Sequence, residues 1–288
     1  MDYVTRYLTL RKEALQTMKR SIEADLHIHS VRSDGSETRE WILQRAKEKG
    51  LQWISFTEHD STIYTEEGIA LGKHYGITVI PGVEMSTLSK RIGKRVHILG
   101  YGFSQGTNIN NIGHETLAAR DINCRKQIAI LKAKGYDISS EQVSTLVKGG
   151  CIYKQHIMEW LVRTGQCEEL FGDFYKTTFK NGGICDFDIC YPEPVDAVKA
   201  IVADGGYPVL AHPGQQENYE LIPELVEVGL KGLEWNHPAN SVEAKEIIEK
   251  YANEYSLFLT GGSDFHGRFE VGSAEIGSFP SLENPIVQ

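Results

Sequence analysis

Histidine and carboxylate side chains end several short apolar runs of this sequence. The first run is DLHIH at residues 25–29, in which His27 and His29 lie two positions apart. On a β-strand, residues at that spacing point to the same face of the sheet. The inward face of a barrel is usually filled by branched apolar side chains, so two imidazoles there indicate a metal site. Taken alone, this run could also be a hydrogen-bonded pair of histidines.

Later runs end in side chains of the same kinds, which makes chance a poor explanation of the pattern. The loop after the first run contains Asp34, and the motifs FTEHD, GVE, VHIL, AHP and SDFH follow in order. These motifs place the following residues at predicted strands or their ends: His59, Glu84, His97, His212, Asp264 and His266. Imidazole nitrogens and carboxylate oxygens together suit Mn²⁺, Zn²⁺ or Fe²⁺. We therefore predict a metal centre assembled from distant parts of the chain.

The composition of the 288-residue chain is that of a globular protein, with 41% hydrophobic and 24% charged residues. The net charge of −9 argues against nucleic-acid binding through a basic surface, although metal ions could reverse the sign locally. The five cysteines include no Cys-x-x-Cys pair, which argues against a structural zinc site. The N-terminus lacks the apolar core of a signal peptide, and no apolar run reaches the ~20 residues of a membrane span. We expect a cytoplasmic protein without a membrane partner.

The chemical motifs close short runs rich in Ile, Val, Leu or Phe, as is typical of buried parallel strands. Seven runs are predicted as strands: 23–29, 53–59, 77–84, 96–102, 207–212, 230–236 and 257–264. Helical patterns separate most of them, at 38–49, 66–75, 194–204, 219–228 and 241–254. The alternation predicts an α/β fold with a parallel sheet, closed into a seven-stranded (β/α)7 barrel. A doubly wound open sheet is the alternative, but no glycine-rich dinucleotide loop follows the first run.

Residues 105–189 interrupt this alternation with mainly helical patterns, the clearest at 112–134 and 153–163. We predict a helical insertion domain there, between the two parts of the barrel at 23–104 and 190–288. An insertion at the carboxyl-terminal rim of a barrel would cover the active site. Residues 1–22 are predicted to form a separate amphipathic helix.

The motifs together resemble those of a known family. The runs DLHIHSVRSDGS, FTEHDST, GVEMS, VHILGYG, LAHPG and GGSDFHG, in that order, are similar to the polymerase-and-histidinol-phosphatase (PHP) family. The resemblance covers residues 23–275 and implies a distorted seven-stranded barrel with a trinuclear metal site. The helical insertion resembles the branch of phosphoesterases that act on nucleotides and short RNA. That branch includes nucleoside 3′,5′-bisphosphate phosphatases and a 5′–3′ exoribonuclease.

The resemblance also implies a ligand set for three divalent ions. His27, His29, Glu84 and Asp264 would hold the first ion. Glu84 would bridge to a second ion completed by His97 and His212, and a third would be held by Asp34, His59 and His266. Three divalent ions against three carboxylates leave an excess of about three positive charges, which favours an anionic phosphate ester. The resemblance favours manganese, with zinc and iron as alternatives.

A hydroxide between the first two ions would then attack phosphorus, with Glu84, His59 and His266 as catalytic residues. The substrate would be a small phosphorylated molecule, a nucleotide or a short RNA. Lys154 and His156 match the positions of an arginine and a histidine that reach the substrate phosphate in the nucleotide-cleaving branch. A lysine at the first of these positions loses the bidentate geometry of arginine. His237 and Arg268 are further candidates for substrate contacts, with structural roles as the alternative.

Three other functions are consistent with parts of the pattern. A phosphatase acting on histidinol phosphate would share nearly the same motifs, although the helical insertion favours nucleotides. An amidohydrolase-type C–N hydrolase also begins with His-x-His, but it usually has a bridging lysine where this chain has Glu84. A non-catalytic domain is the third alternative, and the complete ligand set argues against it.

Overall fold

The computed structural model describes residues 24–270, 272 and 274–281, so the helix predicted at 1–22 lies outside the described residues. Seven strands form one sheet in sequence order: β1 Ala24–Ile28, β2 Trp53–Phe56, β3 Thr78–Ser89, β4 Lys94–Tyr101, β5 Tyr207–Leu210, β6 Gly232–Asn236 and β7 Phe258–Gly261. The backbone N–H of His29, just after β1, donates to the carbonyl of Phe265, just after β7, over 2.9 Å. The sheet is thus a nearly closed, distorted seven-stranded barrel, which confirms the predicted fold class.

Strand β4 departs from the predicted parallel sheet. The pairs β1–β2, β2–β3, β5–β6 and β6–β7 are parallel, whereas β4 is antiparallel to both β3 and β5. No helix lies between β3 and β4, and Gly93 in the short connection has a φ of +66° that favours glycine. A direct turn of this kind returns the chain antiparallel to the strand before it. The prediction of a parallel sheet is therefore wrong at this strand.

Ten α-helices accompany the strands in the described part of the chain: α1 Arg39–Glu48, α2 Thr65–Tyr75, α3 Thr107–Ala133, α4 Ser140–Ser144, α5 Lys154–Arg163, α6 Asp173–Phe179, α7 Pro194–Ala203, α8 Pro213–Gln216, α9 Ile222–Glu227 and α10 Val242–Tyr255. The side chains of Thr38 and Ser241 accept backbone N–H groups at the starts of α1 and α10. These caps satisfy donors that have no partner inside the helix. No described helix is both long and apolar enough to cross a bilayer.

Alternate residues of the strands form two apolar layers. Ile98 and Leu210 belong to a cluster that includes Ile201 of α7. Their sequence neighbours Leu99 and Val209 belong to a separate cluster formed mainly by strand residues. Because successive side chains of a strand point to opposite faces, the second cluster fills the barrel interior. The interior is therefore apolar along much of the strands.

Helices α3, α4, α5 and α6 lie between β4 and β5, where the helical insertion is predicted. They share an apolar cluster that includes Ile128, Leu131, Ile157, Leu161 and Phe179, each at most 2% exposed. Helices in proteins gain most of their stability from burying an apolar face, and this cluster provides that burial for the four helices. The division of the chain into a barrel and an insertion domain stays a prediction.

Candidate metal centre

The carboxyl ends of the parallel strands and the start of β4 meet at one rim of the barrel. Antiparallel β4 begins at this rim, so His97 lies near its start, opposite Ser86 of β3. Glu84 lies within β3 on the same rim. Four other predicted ligands follow β2, β5 and β7: His59, His212, Asp264 and His266. The reversed direction of β4 explains why one ligand comes from the beginning of a strand.

Two of these residues have an unfavourable backbone conformation. The φ angles of His212 and Asp264 are +26° and +51°, in a region that side-chain-bearing residues rarely adopt. Such conformations cost on the order of 1–3 kcal/mol each and are concentrated at functional sites. The surrounding strand ends therefore hold both residues in a backbone conformation that is unfavourable in free energy.

The structure brings all nine predicted ligands together in three overlapping groups, and the ligand atoms of each group lie within 4.8 Å of one another. The groups are His27, His29, Glu84 and Asp264; Glu84, His97 and His212; and His29, Asp34, His59 and His266. Glu84 joins two groups, because its Oε2 is 3.2 Å from His29 Nε2 and its Oε1 is 2.8 Å from His97 Nδ1. His29 also joins two groups, a connection that the sequence did not predict.

Six buried atoms of these residues make no hydrogen bond of good geometry with any described residue, although some lie close to a carboxylate of the cluster: His27 Nε2, His29 Nδ1 and Nε2, Asp34 Oδ1, His212 Nδ1 and Asp264 Oδ1. A buried polar atom without a partner costs about 1–3 kcal/mol, so their convergence requires another explanation. Divalent cations would satisfy these atoms, and the mixed nitrogen and oxygen donors suit transition metals. The residues present therefore fit a metal centre.

Opposite charges keep the carboxylates of the cluster ionised. Burial alone would raise the pKa of Glu84, but His97, His27 and His59 outweigh it and hold that pKa well below its usual value. Burial lowers the pKa of His29, yet the carboxylates of Asp264 and Glu84, each 3.2 Å from its Nε2, raise it to about 10. Metal ligands must be ionised carboxylates and neutral imidazoles, so the carboxylates are already in the form that binds cations.

Sequence reasoning missed Glu234, a fully buried residue of β6. Its Oε1 lies 2.9 Å from His27 Nδ1, and its Oε2 accepts the backbone N–H of His212 over 2.8 Å. A carboxylate at Nδ1 of a histidine fixes the tautomer that leaves Nε2 for a metal. The available signal was a glutamate between the apolar residues Leu233 and Trp235, two residues before the end of the strand.

His237, predicted to contact substrate, lies at the edge of the same cluster. It is 2% exposed, and its Nε2 is 3.3 Å from Asp264 Oδ2. Its ligand atoms also lie close to those of His27 and Glu234. The structure thus places His237 beside the metal ligands and away from the surface.

The loop that carries Asp34 is held by a buried ionic network. Glu58 accepts the backbone N–H of Ser30 and the hydroxyl of Ser33, and it pairs with Arg39 over 3.0 Å. A β-carbon on Gly35 would lie 2.5 Å from the carbonyl oxygen of His29, closer than any real contact. The loop therefore passes directly over the end of β1, which brings Asp34 to the cluster.

A pocket opens beside the metal ligands, between the barrel rim and the helices that follow β4. Three predicted ligands line one side of it: Asp34, His59 and His97. Four cationic side chains line it as well: Arg95, Arg120, Lys154 and Lys180. Of these, only Lys154 was predicted from the sequence to contact substrate. Gln155 also reaches the cluster, because its amide donates to Asp34 Oδ2 over 3.1 Å.

The two other predicted substrate contacts do not line this pocket in the described structure. The Nδ1 atom of His156 accepts the backbone N–H of Tyr153 over 3.0 Å, which caps α5. The guanidinium of Arg268 donates to Glu159 of α5 over 2.6 Å and so links the segment after β7 to that helix. Both side chains thus make structural contacts close to the site.

Comparison with known proteins identifies the family. The model of the PHP domain family matches residues 25–204. The chain belongs to the PHP family. This assignment confirms the resemblance that the motifs indicate.

Relatives with named activities hydrolyse phosphate esters. The chain is 40% identical over 247 residues to phosphoribosyl 1,2-cyclic phosphate 1,2-diphosphodiesterase from Eggerthella lenta, covering 85% of this chain and 94% of that protein. It is 28% identical to 3′,5′-nucleoside bisphosphate phosphatase from Chromobacterium violaceum, covering 91% and 94% of the two chains. A metal-dependent phosphoesterase structure from Bifidobacterium adolescentis superposes with a TM-score of 0.81 at 26% identity, covering 90% and 92%. This PHP protein is a metal-dependent phosphoester hydrolase, as predicted.

Proposed function

We propose that this PHP enzyme hydrolyses the cyclic diester of phosphoribosyl 1,2-cyclic phosphate. The observation that carries the proposal is the position of the nine-residue cluster beside a pocket lined by cations. Such a site suits a small molecule with more than one phosphate group. The relative that shares 40% identity over nearly its whole length is named for this substrate.

Three divalent cations would be held by the three groups, with manganese as the first candidate and zinc or iron as alternatives. When bound, they would polarise the phosphoryl oxygens and lower the pKa of a coordinated water. Three cations against the carboxylates of Asp34, Glu84 and Asp264 would leave about three positive charges. A negatively charged protein would thereby present a positive site to an anionic substrate.

The side chains around the proposed cations have different roles. Glu84 belongs to two of the groups and would therefore contribute a carboxylate oxygen to each of two cation sites. His59 and Asp34 face the pocket from the third group, at the side from which a phosphate would enter. Tyr153 lies beside His59 at a ring distance of 6.4 Å and is 3% exposed, so it shields that imidazole from water. His59 and His266 are the residues we assign to the leaving-group side.

The helices after β4 contribute one side of the pocket. Arg120 comes from α3, Lys154 and Gln155 from α5, and Lys180 follows α6. We propose that this segment acts as the predicted helical insertion and encloses the substrate. It is also the part of the chain that would discriminate between substrates, because the metal ligands come from the barrel.

Nucleoside 3′,5′-bisphosphates are the second candidate class. Two observations favour them: the relative from Chromobacterium violaceum, and the tyrosines that line the pocket, Tyr153, Tyr175 and Tyr191. Aromatic side chains at such positions are able to stack on a base.

Parallel assays of the manganese-loaded enzyme would separate these classes. The substrates are phosphoribosyl 1,2-cyclic phosphate, adenosine 3′,5′-bisphosphate, a short RNA and histidinol phosphate, and Glu84→Gln is the inactive control. We expect kcat/KM for the cyclic phosphate to exceed each of the others at least about tenfold. A preference for histidinol phosphate, or equal turnover of all four compounds, would overturn the proposal.

A further inference from the structure

We infer that His237 is a positioning residue, whose imidazole donates a hydrogen bond to Asp264 and so holds that carboxylate in the orientation that a cation requires. We call the group of His27, His29, Glu84 and Asp264 the first metal group. The inference gives His237 a role different from the substrate contact that the sequence predicts. It rests on the metal centre of the proposed function and is independent of which phosphate ester is the substrate.

Strand β6 is the only one of the seven described strands that has no predicted metal ligand within it or in the segment directly after it. Two buried side chains at its end nevertheless face the cluster. Glu234, within the strand, contacts His27, and His237, directly after the strand, contacts Asp264. Both contacted residues belong to the first metal group. The end of β6 therefore supports this group from one side.

A tight turn after β6 fixes the position of His237. Its carbonyl accepts the backbone N–H of Asn240 over 3.1 Å. The side-chain amide of Asn240 donates to the carbonyls of Glu234 over 3.0 Å and Trp235 over 3.2 Å. His237 is 2% exposed and is not among the described residues that line the pocket beside the metal ligands. Its imidazole therefore faces the metal ligands and does not reach a substrate in that pocket.

The hydrogen bonds of His237 determine which of its ring nitrogens carries the proton. Its Nδ1 accepts the backbone N–H of Ala239 over 3.0 Å, so this nitrogen has no proton of its own. A neutral imidazole then has its proton on Nε2, which lies 3.3 Å from Asp264 Oδ2. The imidazole is therefore the donor, and the carboxylate is the acceptor.

The same contacts argue against a fourth cation at His237. Ligand atoms of His27, Glu234 and His237 do lie within 4.8 Å of one another. However, His27 Nδ1 already faces Glu234 Oε1 over 2.9 Å. Binding of a cation through His237 Nε2 would move the proton to Nδ1, where it would oppose the N–H of Ala239. The buried side-chain atoms without a hydrogen bond in the described chain include none from Glu234 or His237, so this group needs no cation.

The two oxygens of Asp264 have different surroundings. Oδ2 accepts from His237, whereas Oδ1 lies 3.1 Å from His27 Nε2 and 3.2 Å from His29 Nε2. A carboxylate can rotate about the bond that joins it to its side chain, and a hydrogen bond to one oxygen restricts that rotation. The contact with His237 thereby keeps Oδ1 directed toward the imidazole nitrogens of the first metal group.

The test compares His237→Met, which removes the donor, with His237→Gln, which is of similar length and keeps a side-chain N–H donor. Manganese affinity would be measured by competition with a chelator, and the control is His74→Met, at an exposed histidine of α2. We expect His237→Met to bind one manganese ion about 10–100-fold more weakly than wild type, and His237→Gln to stay within about threefold. Anomalous diffraction from His237→Met crystals at limiting manganese should show the loss in the first metal group. Equal effects of the two variants would indicate a packing role and would overturn the inference.

The position of the proton is tested on the wild-type protein, so the inference does not depend on the folding of a variant without the donor. Nitrogen-15 spectra of the zinc-loaded protein would be recorded, with the His237 signals assigned by their absence from His237→Gln. We expect a proton on Nε2 and none on Nδ1. The opposite tautomer would overturn the inference.

Steady-state kinetics separate this role from a substrate contact. At subsaturating manganese, His237→Met should lower kcat, while KM for phosphoribosyl 1,2-cyclic phosphate stays within about twofold of wild type. A higher KM with unchanged manganese affinity would identify a substrate contact and overturn the inference. Absence of manganese from the first metal group of the wild type would overturn the metal centre of the proposed function and the inference with it. Equal manganese affinity in wild type and His237→Met would overturn the inference alone.

Discussion

At the scale of single residues, Glu234 accounts for the position of His27 without being in any sequence motif. Its two oxygens bind the imidazole of His27 and the backbone of His212, so one carboxylate supports ligands from two metal groups. The convergence of the nine predicted ligands was predictable, because each is a histidine or carboxylate in a strand or in the segment that follows one. Glu234 was not predictable from type and spacing, since one acidic residue in a strand gives no indication of what it contacts.

We predict that Glu234→Gln weakens metal binding about 10–100-fold, because an amide no longer attracts the Nδ1 proton of His27 with a full negative charge. Affinity would be measured by competition between the protein and a manganese chelator. The matched control is Glu246→Gln, which changes an exposed glutamate of α10. Equal affinity in Glu234→Gln and wild type would show that Glu234 does not position the ligand.

The lowered pKa of Lys154 predicts a pH dependence of substrate binding. A lysine is charged below its pKa and neutral above it, so Lys154 loses its charge at a lower pH than an exposed lysine. KM for a substrate with a second phosphate should therefore begin to rise at a pH below the ordinary lysine pKa of about 10.4. In Lys154→Arg the same rise should be smaller, because arginine stays charged. Identical pH profiles of KM for the two proteins would contradict this role of Lys154.

At the scale of secondary-structure elements, the direction of strand β4 did not follow from the pattern of the sequence. Alternating strands and helices predict a parallel sheet, and six of the seven strands follow that rule. The predicted strands at 77–84 and 96–102 leave residues 85–95 between them, enough for a helix, whereas the observed strands are longer and leave only residues 90–93. The direction of β4 matters for the site, since it brings His97 to the rim from the start of a strand.

The helices after β4 are expected to unfold more easily when their own apolar cluster is damaged. Ile157 of α5 is fully buried there, so Ile157→Ala should lower the free energy of unfolding by about 2–5 kcal/mol. The number of bound cations should stay unchanged, because the metal ligands come from the barrel rim. Urea denaturation and metal analysis would test both statements, with Ile122→Ala as the control at a position 68% exposed. Loss of bound metal in Ile157→Ala would show that the helices help to form the metal centre.

At the scale of the whole molecule, a chain of net charge −9 concentrates cations at one pocket. The fold class and the metal-dependent chemistry were predictable from the sequence, because the ligand motifs and the strand order determine both. The substrate was not predictable to the same degree. Arg95, Arg120 and Lys180 come from separate parts of the chain, and none of them belongs to a ligand motif. Only the folded structure shows that they line the same pocket as Lys154.

Anomalous diffraction from crystals grown with manganese would test the central claim, that distant side chains form one cluster of cations. We expect three manganese peaks, one within each of the three ligand groups, with Glu84 contacting two of them. Absence of manganese at Glu84 in crystals of the active enzyme, or ions bound only outside the three groups, would contradict the claim.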